Sequence, residues 1–276
     1  MKRTFIPGSE WLYIKIYTGV KTSDIILEEA IIPLLQQLRE DNLINKWFFI
    51  RYNDPRSHLR LRFQLSDLQY FGQVITLVND YLEEYIGSGE ISDFIMDIYE
   101  QEIERYGAAT IEEAEFLFCK SSESILYEYL HFDDEEKIMV SLYYIDKMLE
   151  YLGFSVQQKL NLIKENNFAF KEEFNADKKL NNQLDKKYRL FITKYREFVD
   201  SEDYIPFREA IVNTINESKR SLQHIKCHSE SLQSFFSSVF HMHINRMFVS
   251  NQRLFEMIIY DYLFRYYKSL VFKISI

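Results

Sequence analysis

The chain has 276 residues, with 42 acidic against 33 basic side chains and a formal net charge of −9. That balance excludes a general nucleic-acid binder, which needs surplus cations to neutralise phosphates, yet it leaves room for a local basic pocket. With 23 Phe and 20 Tyr but only 7 Gly and 4 Pro, long helices are favoured over a turn-rich all-β fold, in one large domain or two small ones.

Cys119 and Cys227 stand far apart in no metal or redox spacing, as expected in a reducing compartment. The first residues carry charge but no apolar segment of the signal-peptide kind. No apolar run reaches the roughly 18 residues a spanning helix needs. The expectation is a soluble, cytoplasmic protein.

Trp11 to Tyr17 is a β-branched and aromatic run that predicts a first strand. Thr22-Ser23-Asp24 can cap the segment that follows, where Ile26, Leu27, Ala30, Ile31, Leu34, Leu35 and Leu38 keep helical spacing. Pro33 marks a point where that helix kinks or restarts. Trp47 to Tyr52 and His58 to Leu65 predict a hairpin across the turn Asn53-Asp54-Pro55-Arg56-Ser57. Ser66-Asp67 caps a second amphipathic helix through Val74, Leu77, Val78, Leu82 and Tyr85, and Phe94 to Tyr99 predicts a fourth strand. The order β-α-β-β-α-β is the ferredoxin-like pattern. From Ile111 onward the periodicity is helical, in segments near 110–130, 134–152, 155–166, 176–200, 206–226 and 231–272. The fold class predicted is α+β, a ferredoxin-like sheet over 1–109 followed by a helical subdomain over 110–276, packed as one functional unit.

Three clusters carry chemistry. In the second hairpin strand, His58, Arg60 and Arg62 alternate with Leu59, Leu61 and Phe63, which places the cations on one face about 7 Å apart. Such a row is either a solvated face balanced by carboxylates or one wall of an anion site. Arg51 joins that wall if its strand turns it to the same side. Arg105, in Glu102-Ile103-Glu104-Arg105-Tyr106-Gly107, follows the fourth strand and suits anion capture, unless it only pairs with Glu102 or Glu104. His241 and Asn245 share a helix face in Phe240 to Arg246. The pair reads either as core or as an acid–base imidazole oriented by the amide. His224 and His228 have i,i+4 spacing, but no further ligand follows, so no metal is expected.

Taken in order, Trp47 to Pro55 running into His58 to Phe63, then Glu104 to Gly107, then Ser238 to Arg246, resemble a known family. It is the C-terminal glutamate-elimination domain of lanthipeptide dehydratases, also found free-standing as thiopeptide-type bacteriocin biosynthesis proteins. The resemblance runs from Trp11 to Leu270 and departs at Ala108, where a glycine is expected, and at Ser121, where an acid is expected. It implies a lyase that removes glutamate from glutamylated Ser or Thr of a ribosomal precursor peptide, leaving dehydroalanine or dehydrobutyrine, with no cofactor. By residue-wise carry-over, Arg62, Arg105 and His241 would be catalytic, with Arg51, His58, Arg60 and Asn245 around the substrate. The implied partners are the glutamylated peptide and a separate glutamyl-tRNA-dependent dehydratase subunit, without direct nucleic-acid binding. The aromatic-rich C-terminal helix is the candidate contact for a homodimer. Two other readings stay open: the related thiopeptide pyridine synthase, which joins two dehydroalanines and releases the leader, and a non-catalytic subunit that binds precursor.

Overall fold

Alternating apolar side chains build a four-stranded antiparallel sheet in the computed structural model, which describes residues 2–274. A short strand β1 (Thr4–Phe5) precedes β2 (Trp11–Thr18), β3 (Ile44–Tyr52), β4 (His58–Leu65) and β5 (Ile91–Asp97), and β6 (Tyr99–Glu100) pairs back on β1. The sheet order is β3-β4-β2-β5, the ferredoxin-like arrangement expected from the sequence. Register fixes the faces. Leu59, Leu61 and Phe63 stand opposite Ile16, Ile14 and Leu12, and all six are fully buried. The helices between the strands carry the apolar stripes that complete this core, including Leu34, Leu38, Val74, Val78 and Leu82.

The first helix runs as α1 (Thr22–Ile25), a π-helical turn over Ile26–Ile31, and α2 (Ile32–Glu40), with Pro33 in the first turn of α2. The backbone stays right-handed helical through both junctions, so the helix does not restart at Pro33; the π-helical turn lies just before the proline, which has no N–H to give. Thr22-Ser23-Asp24 does not cap it through a side chain. Ser23 donates to the Val20 carbonyl at 2.6 Å, and Asp24 ion-pairs with Arg51 at 2.6 Å. The second helix, α3 (Phe71–Gly87), follows a 3₁₀ turn (Leu68–Tyr70) capped by Asp67, whose carboxylate accepts from the Gln69 amide at 2.9 Å.

The helical half comprises α4 (Ile103–Tyr106), α5 (Ile111–Ser124), α6 (Asp134–Tyr151), α7 (Val156–Glu173), α8 (Lys178–Asp200), α9 (Ile205–Glu217), α10 (Lys219–His228), α11 (Leu232–Met247) and α12 (Gln252–Ile274). Asp133 with Glu136, and Ser155 with Gln158, form capping boxes that set the starts of α6 and α7. Two segments expected as single helices are each split. Ser218 separates α9 from α10. Residues 248–251 separate α11 from α12, with Asn251 in the left-handed region at φ 53°. None of the described helices is long and apolar enough to cross a membrane.

β3 lies at the sheet edge, so the outward amides and carbonyls of Phe49 and Arg51 need partners. Side chains of the helical half supply them. The Phe49 amide donates to Ser122 Oγ at 3.3 Å, and its carbonyl accepts from Arg246 Nε at 2.8 Å. Asn245 pairs with Arg51 in both directions, accepting from its amide at 3.0 Å and donating to its carbonyl at 2.9 Å. Arg246 is fully buried, with its guanidinium 4.8 Å from the Phe118 ring centre. Burial pushes its pKa down to about 9, which still leaves a cation at neutral pH. His243, on the same helix, stacks on Tyr144 at 4.0 Å and meets Ser121 Oγ through Nδ1 at 3.1 Å. Burial, helped by the Arg246 charge, pushes His243 down to about 3, so the ring is neutral.

Asn245→Ala strips two backbone groups of the β3 edge of their partners and should lower unfolding free energy by about 2 kcal/mol. Urea denaturation reads this as a lower midpoint at an unchanged slope, whereas an unchanged midpoint would deny the clamp any weight. His243 generates a pH dependence. Its folded pKa lies below an unfolded value near 6.5, so below that value the unfolded chain binds the extra proton and stability falls with pH. Between pH 7 and pH 5 the contribution is about 2 kcal/mol, and His243→Gln should show a correspondingly shallower loss over the same range.

Candidate functional site

The sheet register divides the arginines of the hairpin. Arg62 stands opposite Tyr13 and Phe48, Arg60 opposite Lys15 and Ile50, and His58 opposite Tyr17 and Tyr52, all on one face. Arg51 stands opposite Leu59 on the other face and therefore does not join the row. Its guanidinium is buried and committed, donating to the Arg246 carbonyl at 2.8 Å and to Ser23 Oγ at 2.9 Å beside Asp24. Period-2 alternation explains this. Positions 51 and 59 are paired neighbours across the turn, and Leu59 faces the core. Arg51 is a fastener between the sheet and the helices, not part of a substrate wall.

Arg62 is 8% exposed and has no carboxylate against it. Its guanidinium lies 4.4 Å from the Tyr13 ring centre, 5.0 Å from Tyr99 and 5.2 Å from Phe48, while Nε and one terminal nitrogen lack hydrogen-bond partners. Burial lowers its proton affinity, and the electron-rich Tyr99 and Tyr13 oppose that. The ring faces hold the cation in place without consuming its donors. Tyr99 is itself anchored, donating its hydroxyl to the buried Glu115 carboxylate at 2.7 Å, where Gln101 also donates at 2.7 Å.

Arg60 is half-buried and stacks 3.5 Å from the Tyr52 ring centre. His58 accepts from Arg60 Nε at 3.0 Å through Nε2, and its Nδ1 meets the Arg56 carbonyl at 2.8 Å. Only the neutral Nδ1–H tautomer satisfies both bonds. Burial first, then the charges of Arg60, Lys15 and Arg56, lower the His58 pKa and favour that neutral form. At 2% exposure His58 is buried behind Arg60, which it orients.

Arg105 and His241 come together in a cleft of about 580 Å³ that also takes in Asn166, Ser237, Arg253 and Glu256. α4 ends at Gly107, whose φ of 78° suits glycine, and this turn presents Arg105 to the cleft. Arg105 is largely exposed and loosely paired with Glu102 at 3.4 Å, while Glu104, also on the cleft wall, pairs with Arg3. His241 Nδ1 lies 2.8 Å from Glu256 Oε2, on the far side of the α11–α12 break. Asn245 does not orient the imidazole, because its amide is spent on the β3 edge. Glu256, 2% exposed and also 3.2 Å from Arg253, occupies that place.

Arg62 opens into a second, small chamber of about 30 Å³, room enough for a water molecule. Phe48, Ile50, Glu102, Tyr106 and Met242 line it. The two cavities share walls. On α4, Arg105 faces the cleft and Tyr106 the chamber; on α11, His241 faces the cleft and Met242 the chamber.

Elsewhere, His224 and His228 stack on each other at 4.1 Å, with Glu113 beside His224 at 3.1 Å. Among the described residues no group of three or more His, Cys, Asp or Glu is placed to hold a metal. The aromatic cage of Arg62, together with Glu256 and Arg253, is absent from the sequence reading. Tyr13 was legible only as a strand residue, and nothing in the spacing of Glu256 sets it apart from other helix acids.

The chain is 30% identical over 198 residues to the nisin biosynthesis protein NisB of Lactococcus lactis subsp. lactis, covering 61% of this chain but 19% of that protein. Its structure resembles that of MibB, the tRNA-dependent lantibiotic dehydratase of Microbispora sp. 107891, with a TM-score of 0.73 and 17% identity over 96% of this chain and 28% of MibB. It also resembles TbtD, the pyridine synthase from thiomuracin biosynthesis, with a TM-score of 0.61 and 11% identity over 94% of this chain and 99% of that one. The chain thus spans about a fifth of NisB and under a third of MibB. The model of the lantibiotic biosynthesis dehydratase C-terminal family matches residues 11–267, and the chain belongs to that family.

Proposed function

We propose that this chain is the glutamate-eliminating lyase of lanthipeptide dehydration, acting on Ser or Thr residues of a precursor peptide that a separate dehydratase subunit has glutamylated. The observation that carries this reading is Arg62: a buried, cage-held cation with free donors, one helix away from Arg105 and His241.

Elimination demands those groups. A base removes the Cα proton of the glutamylated residue, and negative charge builds on the adjacent carbonyl oxygen. The Cα–Cβ double bond forms as the Cβ–O bond breaks, and its electron pair leaves with glutamate as a carboxylate. His241 takes the proton in the cleft. Arg105, exposed there, meets the glutamyl group. Arg62 meets the developing oxyanion, a task for preorganised donors. At about 30 Å³ the chamber beside Arg62 suits the oxyanion oxygen rather than the glutamyl group, which stays in the larger cleft with Arg105.

TbtD, matched over almost its whole length, supports a second reading as a pyridine synthase. The retained basic set Arg60, Arg62, Arg105 and His241 favours elimination, since cycloaddition expels no glutamate carboxylate.

Mass spectrometry of a precursor peptide carrying O-glutamyl serine, incubated with the chain, separates these readings. Dehydroalanine marks the lyase; for the synthase the probe is a dehydroalanine-containing peptide, and a macrocycle with released leader marks it. With the glutamylated peptide, His241→Ala should lose about 10²–10⁴-fold in rate, and Arg62→Ala and Arg105→Ala about 10²–10³-fold each, all with glutamylated peptide accumulating. Full elimination by all three variants would remove the assignment.

A further inference from the structure

A buried carboxylate that the elimination chemistry does not itself require touches the imidazole. We propose that Glu256, held by Arg253 and Glu173, is the positioning residue of His241, fixing its tautomer and stabilising the imidazolium that forms on proton abstraction. This rests on the lyase reading for its kinetic consequence, but not for its structural one.

The geometry forms a chain across three helices. Glu173, at the end of α7, takes Arg253 in a two-pronged pair, one prong being the Nε bond at 3.1 Å. Arg253 NH1 then lies 3.2 Å from Glu256 Oε2, the same oxygen that faces His241 Nδ1 at 2.8 Å. The Arg253 guanidinium also sits 4.3 Å from the Phe170 ring centre, which fixes its plane. Glu256 is 2% exposed, so water does not compete for it. An acceptor carboxylate on Nδ1 requires the proton there, which leaves Nε2 with a free lone pair. His241 keeps 30% of its side chain exposed, and the ring lines the cleft. Nε2 is then the atom that can take the Cα proton. When it does, the positive ring gains a facing carboxylate at hydrogen-bond distance, a stabilisation that exists only once charge has formed.

Arg253 has a second effect. Its guanidinium shares Glu256 Oε2 with His241 Nδ1 and so fixes that oxygen in place as the acceptor. Glu173 in turn neutralises Arg253, so the cation is less free to capture substrate.

Two measurements on the full chain test this. Long-range ¹H–¹⁵N NMR of His241 reads the tautomer with no substrate present. Wild type should carry the proton on Nδ1; Glu256→Gln should mix or reverse the tautomers. Glu256→Asp, which keeps the charge, should restore most of the wild-type pattern. Kinetics with the O-glutamyl-serine peptide should show kcat reduced about 10²-fold or more in Glu256→Gln, with KM changed less than about threefold. An unchanged tautomer, or a kcat within twofold of wild type in an active enzyme, overturns the proposal. If wild type eliminates nothing, the lyase reading fails while the NMR result still decides the Glu256–His241 pair. A cooperative urea transition for each variant separates loss of positioning from loss of fold.

Discussion

The structure depends on how the outer edge of β3 is closed. An exposed edge strand offers unpaired amides and carbonyls, and most folds blunt it with charge, proline or another strand. Here side chains on α5 and α11 do it, through Ser122, Asn245 and Arg246. Because Asn245 pairs with both backbone groups of Arg51, α11 can neither slide nor rotate against the sheet without breaking two buried bonds. His241 lies one turn earlier on that helix, so the clamp that closes the edge also aims the imidazole at the cleft. Arg51 reinforces it from the opposite direction by donating to the Arg246 carbonyl. The sheet that displays Arg62 and the helix that displays His241 are therefore one rigid unit.

Closing the edge this way places two arginines in the interior with little compensating negative charge. Arg246 is satisfied mostly by carbonyl oxygens, those of Phe49 and Met242, and by the Phe118 face. Arg62 rests against aromatic faces, with the Glu102 carboxylate on the chamber wall beyond ion-pair distance. Replacing such cations by apolar groups of similar volume would be neutral or favourable for stability in many folds. The two differ in what they have left to give. Arg246 spends Nε and one terminal nitrogen on carbonyls of the fold and leaves the other terminal nitrogen unpartnered, whereas Arg62 has both Nε and a terminal nitrogen unpartnered beside the chamber. Unspent donors at a buried cation destabilise the resting protein, and Arg62 carries more of them than Arg246.

The sequence made the sheet legible because period-2 alternation survives in His58 to Phe63 whatever the tertiary context. Arg62 and Arg60 follow directly from it. The faces of the neighbouring strand were not legible, since Arg51 among Phe49, Ile50 and Tyr52 shows no alternation. Its side is set by register across a turn whose length had to be seen. His241 was legible as a polar residue in an apolar helix, but its partner was not. Periodicity runs unbroken from 231 to 272, and no glycine or proline marks the reversal at 248–251. Asn251 in the left-handed region turns the chain there, and this reversal brings Glu256 back against a residue 15 positions earlier. His243 shows the converse. Where the family pattern leads one to expect an acid at 121, this chain has Ser121, whose hydroxyl meets Nδ1 of a neutral ring and leaves the buried Nε2 without a partner. An acid there would have favoured a buried imidazolium instead.

The wall between the Arg62 chamber and the cleft is the weakest part of the site. α4 is four residues long, and its polar side chains are tied down only by surface ion pairs, Arg105 with Glu102 and Arg3 with Glu104. Exposed pairs of this kind are worth about 0–1 kcal/mol each. Its one firm anchor is Tyr106, packed edge-on against Phe118 and Phe235. The opposite wall, α11, is clamped at Asn245 and Arg246 and packs against α5, α6 and α12. α4 is therefore the more yielding of the two walls, while the His241 imidazole, its Glu256 carboxylate and the clamped edge strand sit on the stiffer elements.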